Sequence, residues 1–267
     1  MKVEYSESER RPLKKKRKKH SKLKRIIIAV ASILSVLGVT VVLMFTVFFK
    51  VSSVKVIGSS IYSSDEIIYA SGIMTGDNIL SMSSDDIEAR IVEALPYIST
   101  AEIVKSLPDT VGIKVTPNEE KVTVLTDTAN YVTDKNYKVL RTVAEADESL
   151  VRIRGISAKE FTVGKEIVFE DPQQQDIIKN IVSICEEKAL NVTYINISNL
   201  VDISFAVDNS LLAKLGSYSE MGQKIAHLKA MYPSIDTNVP ASVSLKDYTI
   251  TNKEAILKYE EIADFIK

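Results

Sequence analysis

The longest hydrophobic stretch of the chain runs from Ile26 to Phe49, 24 residues without a charged side chain. A helix of that length would be roughly 36 Å long, enough to cross the ~30 Å hydrocarbon core of a bilayer with some tilt. The stretch is longer than the apolar region of a signal peptide, and no A-x-A-like cleavage site follows it. The pattern therefore predicts an uncleaved transmembrane helix over residues 26–49.

The segment after this helix has a short and regular order of predicted elements. Apolar and polar residues alternate up to Ile57, which predicts a strand, and serine-capped segments predict two helices. Two further alternating segments, separated by a turn at Pro108, predict a hairpin. The order is β-α-α-β-β within residues 50–118, with the strands at 51–57, 98–104 and 110–115 and the helices starting at Ser63 or Ser64 and at Ser83 or Ser84.

Residues 119–250 alternate mainly with a period of two, which predicts a β-rich domain that also holds helices. The predicted strands are 121–126, 130–133, 137–141, 192–197, 201–207, 211–215 and 241–245, and the predicted helices are 171–190 and 220–232. In the tail, residues 251–267, the apolar residues Ile256, Leu257, Ile262, Phe265 and Ile266 fit an amphipathic helix. The predicted fold class is α+β.

The charge flanking the hydrophobic stretch predicts its orientation. Residues 1–25 hold twelve Lys or Arg and three Glu, a net charge of +9, and the whole chain has −1, so residues 26–267 carry −10. Basic residues beside a first membrane span stay in the cytoplasm, which predicts a cytoplasmic tail over residues 1–25 and an extracytoplasmic remainder. Anionic lipid and topology explain this basic block better than nucleic-acid binding does. The residues that set the topology most directly are Arg17, Lys18, Lys19, Lys24 and Arg25.

The cysteine content limits the chemistry and indicates the compartment. Cys185 is the only cysteine, so the chain forms no internal disulfide. A secreted eukaryotic domain would more often be cross-linked, so the composition is typical of a bacterial extracytoplasmic protein. Cys185 lies in the apolar stripe of a predicted helix, where it is expected to be a small buried hydrophobic residue.

No set of residues with catalytic or metal-binding spacing is present. His20 and His227 fall on opposite sides of the predicted span, so they share no metal and no triad. No nucleotide-binding or hydrolase motif occurs, and Cys185 has no histidine partner signal. The chain has no Trp, which also speaks against a sugar-stacking groove. The sequence therefore predicts a non-enzymatic protein without cofactor or metal.

The segments Val54–Ile67 and Gly76–Val115 resemble the POTRA domain of the FtsQ/DivIB cell-division proteins. The resemblance is carried by a valine-rich strand with a glycine turn, a G-x-N-hydrophobic loop, an apolar-Pro step and an LPDT hairpin. The matching residues are Gly76, Asn78, Pro96, Leu107, Pro108 and Ile113. A basic tail, one span, a POTRA domain and a β-rich domain also follow the family's order, so the resemblance covers about residues 10–250.

The resemblance implies a division scaffold at the septum of a bacterium, expected to be Gram-positive. The implied partners are FtsL-like and FtsB/DivIC-like single-span proteins, with indirect contact to the septal peptidoglycan synthase. In such a scaffold the last strand and the preceding helix would form a binding surface, with strand addition at a free sheet edge as the physical mechanism. The positions that would carry it are Lys224, Leu228, Tyr232, Ala241, Val243, Leu245 and Tyr248.

Two other functions fit the same layout. A membrane-anchored cell-wall enzyme would need a nucleophile or a metal set, which the sequence does not show. Another POTRA-type envelope assembly protein would need several POTRA repeats and a transmembrane barrel with ~10-residue alternating strands, and the chain has one repeat.

Overall fold

A computed structural model describes residues 14–266, and the side chains of residues 14–21, 45 and 46 are not described. Residues 1–13, which belong to the predicted cytoplasmic tail, and Lys267 lie outside the described residues. The described chain forms one long N-terminal helix, a three-stranded sheet with two helices, and a nine-stranded sheet with two helices. The α+β fold class predicted from the sequence is confirmed.

The N-terminal helix α1 spans Lys14–Leu43 and continues as a π-helical turn over Met44–Phe48. Its segment Lys22–Leu43 has a mean hydropathy of 2.8, and none of it is buried against the rest of the chain. The Ser32 hydroxyl donates to the Ile28 carbonyl at 2.9 Å, so this polar group is satisfied within the helix. This one apolar helix, which could cross a membrane, covers most of the predicted span from Ile26 to Phe49.

The three-stranded sheet follows the predicted β-α-α-β-β order. Its strand order is β1-β3-β2, with β1 parallel and β2 antiparallel to β3, and its core includes Ile67, Ile91 and Ile113. Helix α2 begins with a capping box, because Ser63 and Glu66 each accept a backbone hydrogen bond from the other. The elements are β1 (Ser53–Ile57), α2 (Ser64–Ser71), a 3₁₀ turn (Ile79–Ser81), α3 (Ser84–Ala94), β2 (Ile98–Ser106) and β3 (Thr110–Pro117).

The nine-stranded sheet has the order β12-β11-β10-β9-β8-β7-β4-β5-β6. Its strands are β4 (Val122–Leu125), β5 (Asn130–Thr133), β6 (Val139–Val143), β7 (Val151–Arg154), β8 (Val192–Asn196), β9 (Ile203–Val207), β10 (Leu211–Gly216), β11 (Ala241–Ser244) and β12 (Ile256–Tyr259). Its helices are α4 (Pro172–Glu187), α5 (Met221–Met231) and a 3₁₀ turn (Tyr232–Ser234).

Three neighbouring strands near the centre of this sheet are parallel, and the middle one of the three, β7, was not predicted from the sequence. β7 pairs in parallel with β4 and with β8, and Ile153 at its middle is fully buried. Ile178 of α4 and Ile225 of α5 pack into the same core cluster as Ile153. Both helices therefore cover one face of the sheet, and that face holds the main core.

A buried lysine joins the two sheets. Lys138, at the start of β6, is 5% exposed, and its ammonium donates to the Val92 carbonyl at 2.7 Å and to the Ile98 carbonyl at 3.0 Å. Val92 lies in the last turn of α3, where carbonyls lack helical partners and attract cations. Burial lowers the pKa of Lys138. Its side chain thus ties the nine-stranded sheet to the end of a helix from the other unit.

Two more contacts close the same junction. Glu120 accepts two hydrogen bonds from the Arg141 guanidinium, at 2.7 and 2.9 Å, and one from the Tyr97 hydroxyl at 2.5 Å. At Gly164, where φ is +89°, an added Cβ would lie 2.5 Å from the Glu93 carbonyl oxygen. The two units therefore approach each other closely on both sides of Lys138.

Candidate partner-binding edge

The last strand of the chain forms one edge of the nine-stranded sheet. β11 pairs in parallel with β10 and antiparallel with β12, and β12 has no outer neighbour in the sheet that residues 14–266 form. The prediction that 241–245 is the final edge strand is therefore wrong. The predicted amphipathic helix in the tail is also wrong, because Ile256–Tyr259 forms a strand.

The register of β12 shows which of its backbone groups face outward. The Glu260 N–H donates to the Pro240 carbonyl at 3.0 Å, so the backbone of residue 260 faces β11. Groups alternate along an antiparallel strand, so the backbones of Ile256 and Lys258 also face β11. The N–H and C=O groups of Leu257 and Tyr259 point away from the sheet. They form a short row that can accept another strand.

The side chains of β12 divide between the core and the surface. Leu257 packs against the main core, whereas Ile256 and Tyr259 are 44% and 53% exposed. The Tyr259 hydroxyl accepts a hydrogen bond from the Asp236 N–H at 3.3 Å. The edge thus presents apolar side chains beside its outward backbone groups, on a strand that the core holds through Leu257.

A charged cluster holds the end of β12 on its neighbours. Glu260 accepts hydrogen bonds from the Ser242 hydroxyl at 2.5 Å and from the Lys214 ammonium at 3.0 Å. The Ser242 hydrogen bond, followed by Lys214, lowers the pKa of Glu260. The same Lys214 ammonium lies 4.7 Å from the centre of the Phe265 ring. These contacts fix the register between β12 and the strands behind it.

The chain after β12 folds back across the sheet face that α4 and α5 leave open. Ile262 and Ile266 are buried there in a cluster with Tyr194 and Leu212. The Arg152 guanidinium donates to the Ile266 carbonyl at 3.1 Å and to the Asn209 side-chain oxygen at 2.7 Å. The tail is therefore held on the sheet before Glu260, through β12, and after it, through Ile262 and Ile266.

The structure places most of the binding residues predicted from the sequence inside the core. Lys224 is 2% exposed, and its ammonium donates to the Leu215 carbonyl at 2.7 Å, while burial lowers its pKa. Tyr232 is partly exposed, and its hydroxyl donates to the Asp208 carboxylate; burial and this contact raise its pKa to about 12. The others, which are buried and so offer no contact surface, are Leu228, Ala241, Val243, Leu245 and Tyr248.

The exposed edge residues were missed because the apolar residues of the tail have the spacing of an amphipathic helix. One signal was available: Ile256–Tyr259 reads apolar-apolar-polar-aromatic, and β-branched and aromatic residues favour strands.

The basic residues predicted to set the membrane topology lie in α1. Lys24 and Arg25 come immediately before its apolar segment, and the backbone at Arg17, Lys18 and Lys19 is helical too.

The groups with the greatest potential for chemistry are dispersed or buried. Cys185 is fully buried in α4, and burial raises its pKa to about 12, which disfavours the reactive thiolate. His227 packs beside the Tyr248 ring, with the ring centres 5.2 Å apart. Within residues 14–266, no group of three or more His, Cys, Asp or Glu side chains could hold a metal ion.

Comparison with known families agrees with the geometry of the first unit. Residues 49–116 match the family model for the POTRA domain, FtsQ-type. This range contains β1, α2, α3, β2 and β3, so the three-stranded sheet with its two helices is the POTRA domain.

The similar proteins include several cell-division proteins. The cell division protein DivIB of Clostridium tetani is 27% identical over 181 residues, which cover 67% of this chain and 68% of that protein. DivIB of Clostridium botulinum (strain Hall) is 26% identical over 212 residues, covering 78% and 81%. The cell division protein FtsQ of Corynebacterium glutamicum is 27% identical over 178 residues, covering 60% and 79%. The chain thus holds an FtsQ-type POTRA domain and is similar over most of its length to bacterial cell-division proteins named DivIB and FtsQ.

Proposed function

We propose that this protein is a non-catalytic scaffold of the bacterial division machinery that holds other single-span division proteins at the β12 edge. The expected partners are FtsL-like and FtsB/DivIC-like proteins, through which the scaffold supports septal peptidoglycan synthesis. The observation that carries the proposal is the open edge of β12 in a chain whose relatives are cell-division proteins.

The mechanism is strand addition. An extended partner segment can bond to the outward N–H and C=O groups of Leu257 and Tyr259, which gives affinity through the main chain. The exposed side chains of Ile256 and Tyr259 add apolar contacts on the two faces of the new strand. Because Glu260 and Leu257 fix β12 from behind, the edge is ordered before the partner arrives, which reduces the entropic cost of binding.

The proposal includes a type II orientation in the cell membrane. The net charge of +9 in residues 1–25 favours a cytoplasmic N-terminus, so both sheets lie outside the membrane, where septal peptidoglycan is built. We expect enrichment at the division septum. A fluorescent fusion that spreads evenly over the envelope of dividing cells would contradict that placement.

The edge is tested by comparing Tyr259→Pro with Tyr259→Ala in the full chain reconstituted in nanodiscs. Both variants lose the tyrosine ring and its contact with Asp236, but only proline also removes the outward N–H. An edge strand tolerates proline at a position whose N–H faces outward. We expect proline to weaken binding of an FtsB/DivIC-like ectodomain by about fivefold beyond alanine, since one backbone hydrogen bond contributes roughly 1 kcal/mol.

Two results would contradict the proposal. One is equal affinity of both variants and the unchanged protein, with the same urea midpoint for all three. The other is release of product from purified peptidoglycan by the full chain, because a scaffold has no turnover.

A further inference from the structure

The loops nearest the membrane helix are fastened to the first residues beyond it. The π-helical turn ends at Phe48, and the Phe49 carbonyl accepts a hydrogen bond from the Ile79 N–H at 2.9 Å. The Val51 N–H donates to the Asp77 carbonyl, and the Gly76 N–H donates to the Val51 carbonyl, both at 2.8 Å. The loop 74–81 therefore lies beside the point where the chain leaves the helix.

The β2–β3 turn lies at the same end of the POTRA domain. The Ser52 N–H donates to the Asp109 carbonyl at 2.8 Å, and the Ser52 hydroxyl donates to the Asp109 carboxylate at 2.5 Å. The Lys105 ammonium donates to the Met82 carbonyl at 2.6 Å, which joins this turn to the neighbouring loop. Two separate loops are thus held within a few residues of the end of the membrane helix.

Both loops expose large apolar side chains. Met74 is 70% exposed, Leu80 is 40% exposed and Leu107 is 56% exposed. We call these three residues the membrane-end surface. Apolar side chains exposed together in a membrane-anchored domain indicate an interaction site, and the position of this one decides which partner it meets.

We propose that the membrane-end surface contacts the interfacial zone of the lipid bilayer. The Phe49 carbonyl accepts a hydrogen bond from one loop, and the Val51 and Ser52 N–H groups donate to the two loops. Both loops are therefore held close to the hydrocarbon boundary that the apolar helix defines. Burying leucine and methionine side chains in the acyl boundary is favourable, as it is for interfacial helices. The POTRA domain is then held on the membrane by two loops as well as by its connection to α1.

The charged groups among these loops do not oppose this contact. The Asp77 carboxylate accepts a hydrogen bond from the Met74 N–H at 2.8 Å, and the Asp109 carboxylate accepts hydrogen bonds from the Ser52 and Thr110 hydroxyls. These hydrogen bonds lower the pKa of Asp109. Because the surface is apolar and its carboxylates have partners within the protein, we expect the contact to be insensitive to the lipid headgroup charge.

The absence of tryptophan from the chain permits a direct test with single-tryptophan variants. Leu80→Trp and Leu107→Trp place the reporter in the membrane-end surface, and Phe48→Trp marks the end of the membrane helix. Ile61→Trp is the matched control, because Ile61 is 73% exposed and follows β1, whose five residues span about 16 Å, at the opposite end of the same domain.

The full-length variants are reconstituted in phosphatidylcholine vesicles, with and without phosphatidylglycerol, and titrated with a lipid that carries a shallow nitroxide quencher. We expect Leu80→Trp and Leu107→Trp to be quenched about twofold more strongly than Ile61→Trp in both compositions, because indole at this depth sits in the interface.

Three results would overturn the proposal. The first is quenching at residues 80 and 107 equal to that at 61 while Phe48→Trp is quenched, which leaves the anchor intact. The second is absence of quenching in Phe48→Trp, which would show that the N-terminal helix is not inserted in the bilayer. The third is a blue shift at residue 80 only after a partner ectodomain is added, which assigns the surface to a protein. The first two results do not depend on binding at β12, so they test this surface separately from the proposed function.

Discussion

At one edge of the nine-stranded sheet, the first residue of β6 is hydrogen-bonded to a loop of the same chain. At the other edge, the outward backbone groups of β12 have no strand beside them within residues 14–266. Val139 of β6 donates to the Lys165 carbonyl at 2.9 Å and accepts from the Gly164 N–H at 2.8 Å. Lys138, one residue earlier, is bonded to the POTRA domain. The start of the first edge is thus bonded within the molecule, whereas the second edge has no neighbouring strand within residues 14–266. A free edge is therefore retained where the fold does not need it.

The largest expected effect comes from removing the lysine at the occupied edge. In Lys138→Met the Val92 and Ile98 carbonyls lose their donor in a buried site, so we expect a loss of roughly 3 kcal/mol in the free energy of unfolding. Urea unfolding followed by circular dichroism measures it. Lys258→Met, at the open edge, is the matched control and should leave the urea midpoint unchanged. Equal midpoints for both variants would show that the two edges are alike.

A smaller loss is expected where the covering loop meets the POTRA domain. In Gly164→Ala the new Cβ meets the Glu93 carbonyl oxygen at 2.5 Å, and the residue must also keep a φ of +89°. We expect a loss of about 2 kcal/mol in urea unfolding. Gly222→Ala, in helix α5 with open space around it, should instead gain about 0.5–1 kcal/mol. If Gly222→Ala lost as much stability as Gly164→Ala, the loss at Gly164 could not be attributed to its close approach to the Glu93 carbonyl.

The Glu120–Arg141 pair at the occupied edge predicts a pH dependence. The Arg141 hydrogen bonds are the main cause that lowers the pKa of Glu120 below 4.5. The folded state therefore binds this proton less readily than the unfolded chain, so the stabilisation is present above pH 4.5 and is lost as the pH falls through the lowered pKa. Glu120→Gln should cost about 1 kcal/mol at pH 7, since the pair is partly exposed.

The stability of Glu120→Gln should also fall less steeply below pH 4.5 than the stability of the unchanged protein. Urea midpoints at a series of pH values between 3 and 7 measure this, with Glu145→Gln as the control because Glu145 is an exposed carboxylate in the segment after β6. A pH profile identical to that of the unchanged protein would contradict the role of the pair.

The smallest effect on stability is expected at the open edge. Ile256→Lys changes a side chain that is 44% exposed and leaves the backbone pairing with β11 intact, so unfolding should change by less than about 0.5 kcal/mol. Binding of the partner ectodomain, measured by titration, should weaken nevertheless. A large loss of stability with unchanged binding would reverse the roles assigned to the two edges.

The sequence predicts elements well where local chemistry determines them. The predicted serine cap of α2 is confirmed, because Ser63 forms a capping box with Glu66, and Gly72 ends that helix in the left-handed conformation that glycine favours. β7 and β12 escaped prediction, although β4, β5 and β11 are equally short. β7 is stabilised by parallel pairing with β4 and β8, and β12 by pairing with β11, and neither pairing can be read from the segment itself. Long-range pairing overrides the weak local preference of such short segments.

The candidate site was harder to predict than the fold. Lys224 looked like a surface residue on a helix because a sequence does not show which carbonyls will surround its ammonium; two of them, from Leu215 and Ser217, satisfy it inside the protein. Likewise, Val243 lies inside the sheet because β12 pairs with β11 on its outer side, and the sequence around Val243 does not show that pairing. The general location of the site in the C-terminal part of the chain stays a prediction.

The Lys138 contacts have a consequence for any protein that shares the membrane with this one. In the proposed function the apolar helix spans the cell membrane. Since the Lys138 contacts couple the β domain to the POTRA domain, which begins directly after that helix, they would then set the height of the β12 edge above the bilayer. A partner rooted in the same membrane must then carry a spacer of matching reach between its own span and its docking strand. Spacer length would act as a selection rule alongside side-chain chemistry.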